Sequence, residues 1–201
     1  MNARRWFTRV GFLLLMAVAP LAGALAATDA TGVVADFGDR SLKMLNDPGL
    51  SPADRQHQFH ALLDQDFDFN TVARFVLGRY WQTATDEQKQ QFAQVFKDYV
   101  VQTYSKRFSE FSDTSFKVTG QRPEGNNATI VRTDVMRQGS AQPAHVDWRV
   151  VKAGDGYKIT EVSVDGISMS LTHRQEFASI MERNGGNVAD LIAQLRAKIG
   201  T

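Results

Sequence analysis

Apolar residues recur every three or four positions between residues 30 and 111, every second position between 115 and 165, and again at the longer interval from 170 to 199. These are the repeats of helix, strand and helix, so the chain reads as helices, then a sheet, then helices. Val33, Val34, Phe37, Leu42 and Leu45 share one helical face that ends at Asn46-Asp47-Pro48-Gly49. Ser51-Pro52 supplies an N-cap and a proline at the first helical position, and Phe59, Leu62 and Leu63 line one side of the helix that follows. Asn70 to Leu77 is a short apolar helix that Gly78 stops. Thr85 and Gln88 make a capping box, with Asp86 and Glu87 in the positive first turn of a fourth helix. The stripe Phe92, Val95, Phe96, Tyr99, Val100, Tyr104, Phe108 and Phe111 extends that helix to about seven turns.

The alternating stretches are Phe116 and Val118, Ile130 to Met136, Val146-Trp148-Val150, and Tyr157 to Val164. Turn-rich runs separate them at Pro123 to Asn127, Gly139 to Pro143 and Gly154 to Gly156. Ser170 or Thr172 caps the next helix, Gly185-Gly186 breaks it, and Val188 to Ile199 forms the last. The fold class is therefore α+β: a helical N-terminal half and C-terminal helices packed on a twisted, mainly antiparallel four-stranded sheet. A curved sheet closed over by helices makes a cone with an apolar interior, the natural place for a ligand.

The first 27 residues have a different pattern. Arg4, Arg5 and Arg9 precede an apolar run from Val10 to Ala19 and a small-residue exit, Ala22 to Ala27. This is the build of a signal peptide cleaved after Ala26 or Ala27, leaving residues 28–201 as one domain. The apolar run falls short of the roughly 20 residues that span a bilayer. Arg4-Arg5-Trp6-Phe7 touches on the twin-arginine export pattern, but Thr8 breaks it. The whole chain carries +1; taking the leader's three arginines from its 23 basic residues leaves 20 against 22 acidic ones, a balance of −2. No basic surplus remains to bind nucleic acid. The absence of cysteine excludes disulfides, thiol nucleophiles and cysteine metal sites.

Candidate chemistry is sparse. His145, Asp147 and Arg149 share one strand face, but Val146, Trp148 and Val150 take the other, so the polar trio is expected in solvent. His57, His60 and Asp64 sit at helical spacing and could meet at a metal; their ordinary reading is the polar side of an amphipathic helix. Asp165-Gly166 reads as a turn rather than a carboxylate at a cavity mouth. No Gly-x-Ser-x-Gly, phosphate-loop or dinucleotide fingerprint occurs. No catalytic residue, metal ligand or cofactor is assigned. The aromatics, Phe75, Tyr80, Trp81, Tyr99, Tyr104, Phe108, Phe111 and Trp148 among them, fill a core or line a cavity.

From Phe69 to Phe111 the sequence resembles a known family. Phe75-Val76-Leu77-Gly78-Arg79-Tyr80-Trp81, then Thr85-Asp86-Glu87-Gln88, Phe92, Phe96 and Tyr104, resembles the LGRYW…T-x-E-Q…F…F…Y pattern of the MlaC, or toluene-tolerance (Ttg2-type), family. Val164-Asp165-Gly166-Ile167-Ser168-Met169, Arg174-Gln175-Glu176-Phe177 and Asn184-Gly185-Gly186 are similar to its C-terminal signature. The resemblance covers about residues 67 to 199 and carries little before residue 60. It implies an NTF2-like fold and a monomeric periplasmic carrier without cofactor. Such a carrier holds phospholipid tails in an internal pocket. Its partners would be an outer-membrane lipoprotein complex and an inner-membrane ABC transporter. A hopanoid-associated branch, the HpnM type, has similar motifs. The residues expected to touch lipid are first Ile167 and Met169, then Val164, Trp148, Phe75, Leu77, Tyr80, Tyr104 and Phe108. Two rival readings stand beside this one. The first is an NTF2-like enzyme on an apolar substrate, using Asp165 or Asp134. The second is a binder of a small polar solute, which would need a polar pocket.

Overall fold

A computed structural model describes residues 29–106 and 113–200. The leader expected over residues 1–27, and Phe108 and Phe111 of the aromatic stripe, lie outside the described residues. Four helices come first: α1 (Ala30–Leu45), α2 (Pro52–Asp66), α3 (Phe69–Leu77) and α4 (Asp86–Ser105), with a short 3-10 turn at Gly78–Trp81. Each of the four starts on a side-chain cap. Asp29 accepts from Gly32 N, Asp68 from Thr71 N, and Ser51–Asp54 and Thr85–Gln88 form complete capping boxes.

The sheet follows as β1 (Ser115–Glu124), β2 (Ala128–Met136), β3 (Ala144–Ala153), β4 (Gly156–Val164) and β5 (Ile167–Ser168). It is an antiparallel meander in the order β1-β2-β3-β4-β5. Four strands are those expected; the fifth is a two-residue return. Asp165 and Gly166 both have positive φ, 49° and 82°, as a two-residue type I′ turn requires. That turn pairs Ile167 with Val164 and Ser168 with Ser163. The chain therefore doubles back before α5 (Met169–Arg183), and the cap of α5 is Ser168, not Ser170 or Thr172. Helix α6 (Val188–Ile199) closes the described chain.

Two apolar cores result. One joins α3 to α6 around Phe92, Phe96, Phe177, Met181, Leu191 and Leu195. The other packs α1 and α2 onto the sheet around Val34, Phe37, Leu63, Val131, Val150 and Ile159. Phe69 and Val100 pack against both. The layers are pinned where α2 meets α3: Phe67 bridges Ile159 of β4, and Asp68 N donates to Ile159 O at 3.0 Å.

A second pin holds α1 to the end of α2. The Arg40 guanidinium donates to both carboxylate oxygens of Asp66, at 2.9 and 2.8 Å, and also reaches Asp36 and Gln65. Asp66 is only 7% exposed, and burial pushes its carboxyl up from the ordinary value against the pull of Arg40. Removing the cation would leave a buried acid without its partner. Arg40→Ala should therefore lower the unfolding free energy by about 3 kcal/mol, measured from the urea midpoint. A loss under about 1 kcal/mol would place the pair among ordinary surface bridges.

Candidate functional site

Between the two cores lies a cavity of about 380 Å³, within the roughly 300–1,000 Å³ typical of small-molecule sites. One face of α1 supplies Phe37, Gly38, Ser41, Leu42 and Leu45, and α2 adds Phe59 and Leu63. Helix α4 contributes Phe96, Val100 and Tyr104, and the start of α5 contributes Met169, Ser170 and His173. The sheet supplies Phe116, Val135, Ala144, Val146, Trp148, Val162 and Val164. Strand alternation sorts β3 as expected. Val146, Trp148 and Val150 are buried, and the alternate residues face outward into ion pairs. Asp147 meets Arg132 at 2.8 Å, His145 meets Asp134 at 2.8 Å, and Arg149 meets Glu124 at 2.5 Å. The Arg132 guanidinium holds the Asp147 carboxyl below its usual range.

Close packing shapes the sheet side of the cavity. A Cβ on Gly38 would lie 2.4 Å from the Phe116 ring, so only glycine lets α1 lie so close to β1. Trp148 packs edge-on against Phe37, with ring centres 5.4 Å apart, and lies 6.0 Å from Phe116. Its indole N–H donates to Thr133 Oγ1 at 2.9 Å, which satisfies the one polar atom of a buried ring.

Two titratable groups of the wall, Glu161 and His173, have distinct surroundings. Glu161 accepts from Val162 N (2.8 Å), Ser170 N (3.2 Å) and Ser168 Oγ (2.7 Å), anchoring the first turn of α5. His173 packs among Phe96, Tyr99 and Phe177, and burial pulls its pKa below 6.5 despite Glu176 at 3.6 Å. Of the trio His57, His60 and Asp64, read in the sequence as the polar side of a helix, His60 contacts Asp64 at 3.0 Å and also reaches Asp98 at 3.2 Å, and no metal-binding group of three occurs among the described residues. A separate depression of about 440 Å³ between α4 and α6 is bordered by Gln90, Gln91, Gln94, Val95, Asp98, Arg196 and Ile199, a mixed polar and apolar surface. What the central cavity offers is apolar enclosure.

Four of the residues expected to touch a ligand border the cavity together: Met169, Val164, Trp148 and Tyr104. Tyr104 Oη sits 3.5 Å from Met169 Sδ. Four others are placed elsewhere. Ile167 is 61% exposed, because the Asp165-Gly166 turn carries it to the sheet edge beside the hairpin tip. Phe75 lies on the outer side of α3, 43% exposed, with the Arg174 guanidinium 5.0 Å above its ring. Leu77 is buried, but within the helical core. Tyr80 packs on that same core and accepts from Arg79 at 2.8 Å. Phe108 lies outside the described residues. The α1 and α2 residues of the wall were absent from the expected set. Their apolar stripe was legible, but a stripe facing a cavity has the same period as one facing a core.

Comparison with known proteins gives this geometry a context. The family model described as "MlaC protein" matches residues 36–197. The toluene tolerance protein ttg2D of Pseudomonas putida is 28% identical over 111 residues, 55% of this chain and 51% of that protein. The intermembrane phospholipid transport system binding protein MlaC of Haemophilus influenzae is 21% identical over 113 residues, 55% of this chain and 53% of that protein. The chain thus spans about half the length of these two relatives. A phospholipid-binding protein from Ralstonia solanacearum, solved in complex with a phospholipid, superposes with a TM-score of 0.74 at 26% identity, covering 86% of this chain and 99% of that one.

The buried histidine makes stability depend on pH. His173 has a folded pKa below 6.5, so the unfolded chain binds the extra proton first as pH falls. Its contribution is complete above pH 6.5 and declines as pH falls through 6.5 toward the lower folded value, by at most about 1.4 kcal/mol per pH unit. His173→Phe should therefore melt with a shallower pH dependence than the parent between pH 7 and 5. Parallel melting curves would assign the acid sensitivity to other groups.

Proposed function

The chain belongs to the MlaC family, and on that premise we propose that it is a periplasmic phospholipid-binding transport protein. It holds acyl chains in the cavity between sheet and helices and carries lipid between the outer membrane and an inner-membrane ABC transporter. The observation that carries this reading is the nearly unbroken apolar wall of a cavity of about 380 Å³, in a fold shared with a protein solved holding a phospholipid. The relative from Haemophilus influenzae, a binding protein of an intermembrane phospholipid transport system, supports the same role.

The physical case rests on the cost of wetting hydrocarbon. At about 0.8 kcal/mol per methylene, a 16-carbon chain resists entering water by roughly 12 kcal/mol. A carrier must keep that chain dry while leaving the headgroup in water, and it needs no reaction. The engagement of Glu161 with the α5 terminus and of His173 with its ring neighbours suits a non-enzymatic role. The charged, apolar and small-residue order of residues 1–27 supports export. None of the described helices is long and apolar enough to cross a membrane.

Native mass spectrometry of the purified mature protein, with organic extraction, is expected to find stoichiometric phospholipid. Val164→Glu puts a carboxylate into the wall, where desolvation costs several kcal/mol, and should abolish that lipid in a folded protein. Ile167→Glu, at the exposed hairpin edge, should keep it. A folded mature protein that takes up no lipid from phospholipid vesicles would overturn the proposal.

A further inference from the structure

Two hydroxyls in the cavity's apolar surroundings have no hydrogen-bond partner among the described residues. Ser41 Oγ and Thr114 Oγ1 are buried oxygens without a hydrogen-bond partner, and both residues border the cavity. Thr114 is only 8% exposed. Buried polar groups are ordinarily paired, so two unpaired hydroxyls in one cavity wall call for a partner.

Their positions are fixed by two contacts that bracket them. Gly38 of α1 lies against the Phe116 ring of β1, and Asp113 N donates to Asn46 Oδ1 at 3.0 Å. The helix and the strand therefore run in opposite directions along a seam on the order of 10 Å long. Ser41 and Thr114 both fall between its ends. Ser41 shares the helical face of Phe37 and Leu45, four residues away on either side, and both of these border the cavity. Thr114 stands two residues before Phe116, on the same side of the strand direction. Asp113 and Asn46 are exposed, so the pair lies where the cavity wall approaches the surface. The other unpartnered atom in the wall, His173 Nδ1, belongs to the aromatic cluster of α4 and α5 and has Glu176 at 3.6 Å.

A phospholipid seated with its tails inside and its headgroup in water presents different chemistry at each depth. Its chains accept no hydrogen bond, and its phosphate stays in solvent. Between them lie the ester carbonyls, which accept hydrogen bonds and donate none. Taking the proposed function as given, we propose that Ser41 and Thr114 donate hydrogen bonds to ester carbonyl oxygens of a bound diacyl glycerolipid, making the cavity selective for ester-linked over ether-linked lipid. The selectivity arises because an ether analogue fills the same apolar space but leaves the hydroxyls without a carbonyl acceptor.

The test uses lipid-stripped mature protein and phosphatidylcholine vesicles carrying fluorescent diacyl phosphatidylethanolamine or its dialkyl ether analogue, with chains and headgroup matched. The parent should favour the ester lipid about tenfold. Ser41→Ala alone should lower that ratio, and Ser41→Ala with Thr114→Val should bring it to about one. Thr114→Ser, which keeps the hydroxyl, should retain the preference. Equal uptake of the two lipids by the parent, or a preference that survives Ser41→Ala and the double substitution, overturns the proposal while leaving lipid carriage intact. Uptake of neither lipid by the parent overturns both.

Discussion

An apolar void in water tends to close, and the whole architecture turns on preventing that. Its walls belong to two separate cores, each well packed within itself, so neither can relax into the gap without losing its own contacts. Polar contacts such as Lys97–Asp64 and Ser170 N–Glu161 cross between the layers. The Phe67–Ile159 bridge and the Asp68–Ile159 hydrogen bond hold the α2–α3 junction to the sheet, and Arg40 clamps α1 to Asp66. Phe69 and Val100, touching both cores, mark the line along which the space is kept open. Edge-on rings such as Phe37 and Trp148 stiffen the wall because their geometry tolerates little sliding.

The same arrangement sets the surroundings of the titratable groups that border the apolar cavity. Glu161 has two backbone N–H donors and the Ser168 hydroxyl on its oxygens, so its charge is held at the positive end of α5. Burial among rings pulls the His173 pKa down against the opposing pull of Glu176. A polar-solute binder would need many converging donors and acceptors, and a wall formed mainly by apolar side chains, with the Ser41 and Thr114 hydroxyls as exceptions, does not supply them. Hydrocarbon asks only for enclosure, which these walls provide.

How much of the site was legible depended on the kind of signal. Trp148 sits on a strand with a buried alternate face, and that alternation identified its inward side, whereas Val164 borders the cavity from a strand whose burial does not alternate. Met169 and Tyr104 were marked by a motif and by a helical stripe, and both face the space. Ile167 failed although it belongs to the same motif as Met169. The positive φ values at Asp165 and Gly166 reverse the chain there, and one more residue separates the exposed hairpin edge from the cavity wall. Phe75 and Leu77 show the matching ambiguity on a helix: one faces solvent under Arg174, the other a core, and residue type separates neither from a cavity position.

Local chemistry settled what is local. Helix starts at Ser51 and Thr85, the strand spacing, the turn at Asp165-Gly166, the outward trio on β3 and the α+β class all follow from patterns a few residues long. Such patterns act through backbone propensity and side-chain period, which need no distant partner. The division of the apolar residues between two cores and a void was decided only in three dimensions. So were the pairing of α1 with β1 across Gly38 and the burial of the Ser41 and Thr114 hydroxyls at one seam. An apolar side chain has the same reason to leave water whether it meets another side chain or lines a space for hydrocarbon, and only the distance to the facing layer tells the two apart.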